Sequence, residues 1–204
     1  MTSPWREDPN ARLVASLASE PAGRLLAVYA SIRSTTRVPD ALTGLGVPLV
    51  GYVLESVDET PVRVTATRGR HSAHNPLLGL GTDVEMWTLL IRCASEVTIT
   101  VDVTAGPWTT DAGPLETRVE WMGSDRVTTF HPRGATVASQ EAWDGSLGLT
   151  GLEERLLEYA VDLCDLAAEG DMPIELAAAS HVAEAARESV AGNVPITLIE
   201  RDET

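Results

Sequence analysis

His71 and His74, in the stretch RHSAHNPLLGLGTD, are the only clustered pair of nitrogen ligands in the chain. A structural or catalytic metal takes three or four protein donors. Here only Asp83 follows nearby, so the pair reads as part of a loop and no metal is assigned. Asp102 and Glu96 are candidate acids, and a polar strand face accounts for both. The serines show no G-x-S-x-G elbow. Gly79 and Gly81 lack the third glycine of a dinucleotide fingerprint and lead into a strand rather than a helix. All 15 basic residues are arginine, so no Schiff base, general acid or phosphate clamp can use a lysine. No catalytic residue is assigned.

Charge narrows the partners. Thirty acidic residues against 15 arginines give a net charge of −15, which disfavours nucleic acid and anionic membranes. No run approaches the ~18 apolar residues of a membrane span. The opening residues, MTSPWREDPN, lack the basic-then-apolar pattern of a signal peptide, so a cytoplasmic location is expected. Cys93 and Cys164 lie in different predicted elements among apolar neighbours and read as free, buried thiols.

The elements that would position any site follow from periodicity. Residues 1–20 read as a loose arm or short helix, and 21–204 as one domain. GRLLAVYASIR, 23–33, reads as a strand. In DALTGLGVPLVGYVLES the spacing predicts a helix from about Val47–Pro48 to Val57. Gly44 and Gly46 fall in its entry turn, and Gly51 inside it costs about 1 kcal/mol against alanine. TPVRVTATRG alternates as a half-buried strand. DVEMWTLLIRC and EVTITVDVTAG form an antiparallel hairpin around Ala94-Ser95-Glu96. LETRVEWMGSDRVTTF repeats the arrangement, and GATVAS adds a short strand. Two helices follow. The first spans about 150–169, capped by Thr150 with Glu153, and stops at Gly170. The second spans about 174–191 and stops at Gly192. A terminal strand covers 196–199.

The order predicts an α+β fold, a largely antiparallel sheet with helices on one face. Val97, Ile99, Val101 and Val103 share one side of their strand. Thr98, Thr100, Asp102 and Thr104 share the other, which is left open for oligomerisation, a dimer being the simplest form. Trp87 and Trp121 read as core or interface residues. Trp108, beside Gly106-Pro107, is the one tryptophan suited to stacking on a ligand.

Laid end to end, these segments resemble the C-terminal domain of the Gfo/Idh/MocA oxidoreductases, the glucose–fructose oxidoreductase and inositol dehydrogenase relatives. GRLLAVYASIR resembles the family's strand after the nucleotide domain. DALTGLGVPLVGYVLES resembles its D-x-G-x-H-x-x-D helix. DVEMWTLLIRCASEVTITVDVTAG and VEWMGSDRVTTF are similar to its sheet hairpins, and VAEAARESVAGNVPITL to its closing segment. The resemblance implies an α+β sheet whose open face builds dimers or tetramers. It implies that NAD(P) belongs to a Rossmann domain and that a lysine and a histidine carry the chemistry. This chain has no G-x-G-x-x-G and no lysine, and Pro48 and Gly51 stand where the family has its histidine and aspartate. The expectation is a stand-alone, non-catalytic relative with no cofactor of its own. Two alternatives accompany it: a partner for a separate Rossmann-type subunit supplying NAD(P), or a sugar- or polyol-binding module using Arg33, His71, His74 and Arg92.

Overall fold

The computed structural model describes residues 2–19, 24–75, 80–106, 114–131, 134–137, 140–143 and 152–198. Alternating sequences form a single sheet of nine strands: β1 (Leu25–Ser34), β2 (Pro61–Asn75), β3 (Leu80–Cys93), β4 (Thr98–Ala105), β5 (Leu115–Gly123), β6 (Val127–His131), β7 (Gly134–Val137), β8 (Gln140–Trp143) and β9 (Ile196–Thr197). Their order is β8-β7-β6-β5-β1-β4-β3-β2-β9. Every neighbouring pair is antiparallel except β1 and β4, which run parallel. β1 therefore sits in the middle and joins two meanders. The β3–β4 turn holds Glu96 at φ 71°, and the Cys93 amide donates to the Val97 carbonyl at 2.9 Å.

One face of the sheet is the core. Val28, Ala30 and Ile32 of β1, Trp87, Leu89 and Ile91 of β3, Ile99, Val101 and Val103 of β4, and Val119 and Trp121 of β5 are all buried there. The helices cover this face: α3 (Val47–Val57), α4 (Leu152–Glu169) and α5 (Ala177–Gly192), joined by α1 (Pro4–Glu7) and α2 (Pro9–Ser19). The α+β architecture with helices on one side is the one the sequence predicts. Trp87 and Trp121 are core residues, and the Trp121 indole N–H donates to Ser56 Oγ at 2.9 Å. Both cysteines are free thiols.

Four local features differ from the sequence reading. Gly44 and Gly46 do not lie in an entry turn. They lie in a buried π-helical turn, Leu42–Gly46, continuous with α3. The helix begins earlier because Asp40 caps it, its Oδ1 accepting the Thr43 amide at 3.0 Å. Second, His71 and His74 are not in a loop: β2 continues to Asn75 opposite β3, with His71 facing Val84 and His74 facing Gly81 in register. The pair occupies odd-spaced positions of a ladder whose period is two. Third, α5 ends with Asn193, not Gly192, in the left-handed conformation (φ 51°), which asparagine tolerates. Fourth, the opening residues are tied down by Trp5, which is 1% exposed, stacks on Tyr52 at 4.6 Å and meets the edge of Phe130 at 5.9 Å. Thr150 and Trp108 lie outside the described residues.

Candidate functional site

Two places collect polar chemistry. The first is the start of the α3 helix. Asp40 accepts from Arg187 Nη2 at 2.8 Å, and the same guanidinium donates to Thr43 Oγ1 at 2.6 Å. Cys164 Sγ lies 3.5 Å from the Asp40 carbonyl oxygen. Burial pushes the Asp40 carboxyl up, but the Thr43 amide and Arg187 outweigh it and hold it below its ordinary value. This cluster ties α4 and α5 to the π turn, and every group in it is already partnered.

The glycines explain how closely the helices meet. A Cβ on Gly44 would lie 2.7 Å from the Ala160 carbonyl oxygen and 2.7 Å from Val38 Cγ1. A Cβ on Gly51 would lie 2.9 Å from Leu176 Cδ2 and 3.7 Å from the Ala179 Cβ. Pro48 is buried. Gly44, in the π turn, is thus packed closely on α4, and Gly51 on Leu176 and the start of α5.

The second place is the other face of the sheet. Among the described residues no element covers it. Thr98, Thr100, Asp102 and Thr104 lie on it, each half-buried between neighbouring strands. At its centre Asp102 accepts two hydroxyls, from Tyr29 at 2.9 Å and from Thr88 at 2.6 Å. Burial and then Asp102 raise the Tyr29 phenol. Arg118 and Glu120 pair on the neighbouring β5. Leu90, Met86 and Val127 add exposed apolar surface at 47%, 40% and 44%.

Arg33 and Arg92 are both exposed on this face, but the structure does not bring them together. Arg92 pairs with Thr98 and Arg33 with Thr104, opposite ends of β4. Six residues of strand separate them, roughly 20 Å at ~3.3 Å per residue. His71 and His74 lie on the part of the β2–β3 hairpin that projects past the last β3–β4 pair, Glu85 and Ala105. Sequence reasoning missed Tyr29 and Thr88 as partners of Asp102, because nothing local announces that β1 lies parallel beside β4. The signal available was the alternation Tyr29, Ser31, Arg33, which marks a polar side of β1. It also missed Arg187, whose partners are 144 and 147 residues away.

Among the described residues, the two places where a dinucleotide's pyrophosphate could be sought do not fit it. The passage from β1 into the helix offers the pyrophosphate a carboxylate, Asp40, where a helix N-terminus would have to present free amides. Gly81 belongs to β3 and opens no helix. Among the described residues no group of three or more His, Cys, Asp or Glu side chains could hold a metal ion. No described helix is long and apolar enough to cross a membrane.

Comparison with known proteins places the architecture. No family model matches, and no curated protein matches. Solved structures do. Levoglucosan dehydrogenase in complex with NADH and levoglucosan is 16% identical with a TM-score of 0.65 over 96% of this chain and 65% of its own. A putative myo-inositol dehydrogenase from Sinorhizobium meliloti 1021 is 17% identical (TM-score 0.62, 97% of this chain, 64% of its own). GenD2 from gentamicin A biosynthesis, in complex with NAD, is 16% identical (TM-score 0.60, 94% and 61%). The chain shares the fold of these dehydrogenases. It spans less than two thirds of their length. The α+β architecture read from the sequence is thus shared with part of each of these structures.

Proposed function

We propose that this chain is a stand-alone, non-catalytic relative of the C-terminal domain of the Gfo/Idh/MocA oxidoreductases, and that it forms a homodimer through its open sheet face. One observation carries the reading. At the positions of the family's histidine and aspartate stand Pro48, which is buried, and Gly51, where a methyl group would come within 2.9 Å of Leu176; neither residue carries a proton-transfer group. Hydride transfer needs a bound nicotinamide and an acid–base group to move the hydroxyl proton. Pro48 and Gly51 supply no such group. The sheet face, by contrast, combines exposed Leu90, Met86 and Val127 with an Asp102 carboxylate whose hydrogen bonds are already made within the sheet.

The test has two arms. Tryptophan emission titrated with NADH and NADPH, and turnover assayed with myo-inositol or levoglucosan plus NAD or NADP, should show neither quenching nor reduction. Light scattering after gel filtration should give twice the 21.8 kDa chain mass. Turnover by the isolated chain, or a monomer at micromolar concentration, overturns the reading.

A second reading rests on length. Because the chain spans 61–65% of the solved dehydrogenases, a separate Rossmann-type polypeptide carrying NAD(P) would complete the outline. Co-purification from the source cell of a nucleotide-binding protein of that kind, with NAD(P)-dependent activity only in the complex, favours this reading over the first.

A further inference from the structure

The outer edge of β2 is a second surface. β2 is 15 residues long, and β3 pairs with it along its whole length. On its other side β9 covers only Arg63 and Val64. Two hydrogen bonds show which backbone groups point outward. Leu198 N–H donates to the Val62 carbonyl at 2.9 Å, and the Ala66 amide donates to Ser189 Oγ at 3.1 Å. Even-numbered residues therefore aim their amides and carbonyls off the sheet. Beyond Ala66, those of Arg68, Arg70, Ser72 and His74 face outward, and among the described residues no strand pairs with them.

The chain cannot close this edge with β9. That strand is antiparallel to β2, so its direction carries Leu198 onto Val62 and away from Arg68. Upstream, Pro195 and the left-handed Asn193 turn it back into α5. The far half of the edge also loses support on its inner side, because β4 ends at Ala105, opposite Glu85. Among the described residues the hairpin from His71 onward is a two-stranded ribbon, a form that gains stability from a third strand.

Charge selects the occupant. In a chain with 30 acidic residues, β2 has three arginines and no acid. Arg68 lies over the Trp87 ring at 4.9 Å and is bound to Glu85 at 2.5 Å; Arg70, its side chain 71% exposed, shares the same carboxylate at 3.9 Å, so two guanidinium groups meet one acid. A second β2 docked with its two-fold axis near Arg68–Arg70 would set arginine against arginine, which is repulsive. We propose that the outer edge of β2 from Ala66 to Asn75 receives an acidic, extended segment of a partner protein. The added strand gains main-chain hydrogen bonds at Arg68, Arg70, Ser72 and His74, and its carboxylates meet Arg70.

The probe is a twelve-residue peptide of alternating valine and glutamate, with alternating valine and lysine as its counterpart. Amide hydrogen exchange of the intact chain is followed with and without peptide. The acidic peptide should bind saturably, slow exchange at residues 68, 70, 72 and 74, and weaken at least tenfold between 0.05 and 0.5 M salt. Arg70→Pro removes an outward amide, a substitution an edge strand accepts because β3 does not use that N–H. It should cut affinity at least tenfold. Arg70→Glu leaves the backbone intact and should weaken the acidic peptide while improving the lysine one. No binding of the acidic peptide, equal binding of both, or unchanged exchange at the four amides overturns the proposal. So does protection already present without peptide, whether it rises with chain concentration, as a second copy would cause, or is independent of it.

Discussion

Tyr29 donates its hydroxyl to Asp102 across the single parallel boundary of the sheet, at 2.9 Å. The same carboxylate accepts Thr88 from the antiparallel side. One acid thus stitches three strands together on the face that no described element covers.

If that face is an interface, placing charge on it separates the copies without touching the core. Leu90 is 47% exposed and contributes little to the fold of one chain. Leu90→Glu should leave the melting temperature of the monomer within a degree or two, since exposed substitutions usually stay within about 0.5 kcal/mol. The same change should convert a dimer to a monomer by light scattering. A Leu90→Glu protein that keeps the dimer mass rules out this face.

The two helix glycines should respond differently. Gly44→Ala drives a methyl into the Ala160 carbonyl and Val38, and the backbone cannot yield cheaply. A loss of about 1–3 kcal/mol in urea unfolding is expected. Gly51→Ala meets the end of a flexible leucine, Leu176, and gains helix propensity of about 1 kcal/mol. Its net effect should be close to zero. Equal losses at the two sites contradict the packing described.

Trp5 should anchor the amino-terminal helices. It is 1% exposed between Tyr52 and Phe130. Trp5→Ala should cost about 3–5 kcal/mol, as large aromatic truncations in cores do. Near-ultraviolet circular dichroism should lose the signal of the Trp5–Tyr52 stack. A loss under about 1 kcal/mol would show that these helices are not part of the cooperative unit.

Alkaline pH should destabilise the chain. Burial raises all three tyrosines: Tyr29 with help from Asp102, Tyr159 to about 12 with help from Glu175, and Tyr52 further still. The unfolded chain releases phenolic protons near pH 10, before the folded one does. Above that pH the folded state binds more protons, so stability is full below about 10 and falls as pH rises toward 12. Phenolate absorbance near 295 nm should appear together with unfolding rather than ahead of it.

The thiols should be inert while the chain is folded. Burial, then Glu59, pushes Cys93 up to about 11, and burial also raises Cys164. A disulfide reagent at pH 8 should label neither until denaturant is added, because the thiolate is the reacting form.

How far the sequence carried depends on the range of the interaction. Strand β4 alternates so cleanly that its buried and open sides can be read residue by residue, and the structure follows that reading. The Thr98–Thr104 side was legible for the same reason. The helix over 150–169 announced itself by its apolar spacing. Three features were illegible. Trp5 finds Tyr52 and Phe130 far along the chain, and no local pattern encodes that encounter. The π turn is held by Arg187 and by the close approach of Ala160, both far along the chain, as well as by the local cap of Asp40. The extension of β2 through His71 and His74 is fixed by register with β3, not by β propensity, since glycine, serine and asparagine in that run read as loop.

The π-helical turn over Leu42–Gly46 has one more consequence. A turn of that kind holds one residue more than an ordinary α turn, so the helix carries slack at a single point. Excising a residue there would relax the spiral to its regular pitch and leave the later turns in phase. The same excision within Val47–Val57 would swing every following side chain by about 100° and turn the apolar stripe out of the core. Length is negotiable at one place in this helix, and it lies directly beneath Arg187.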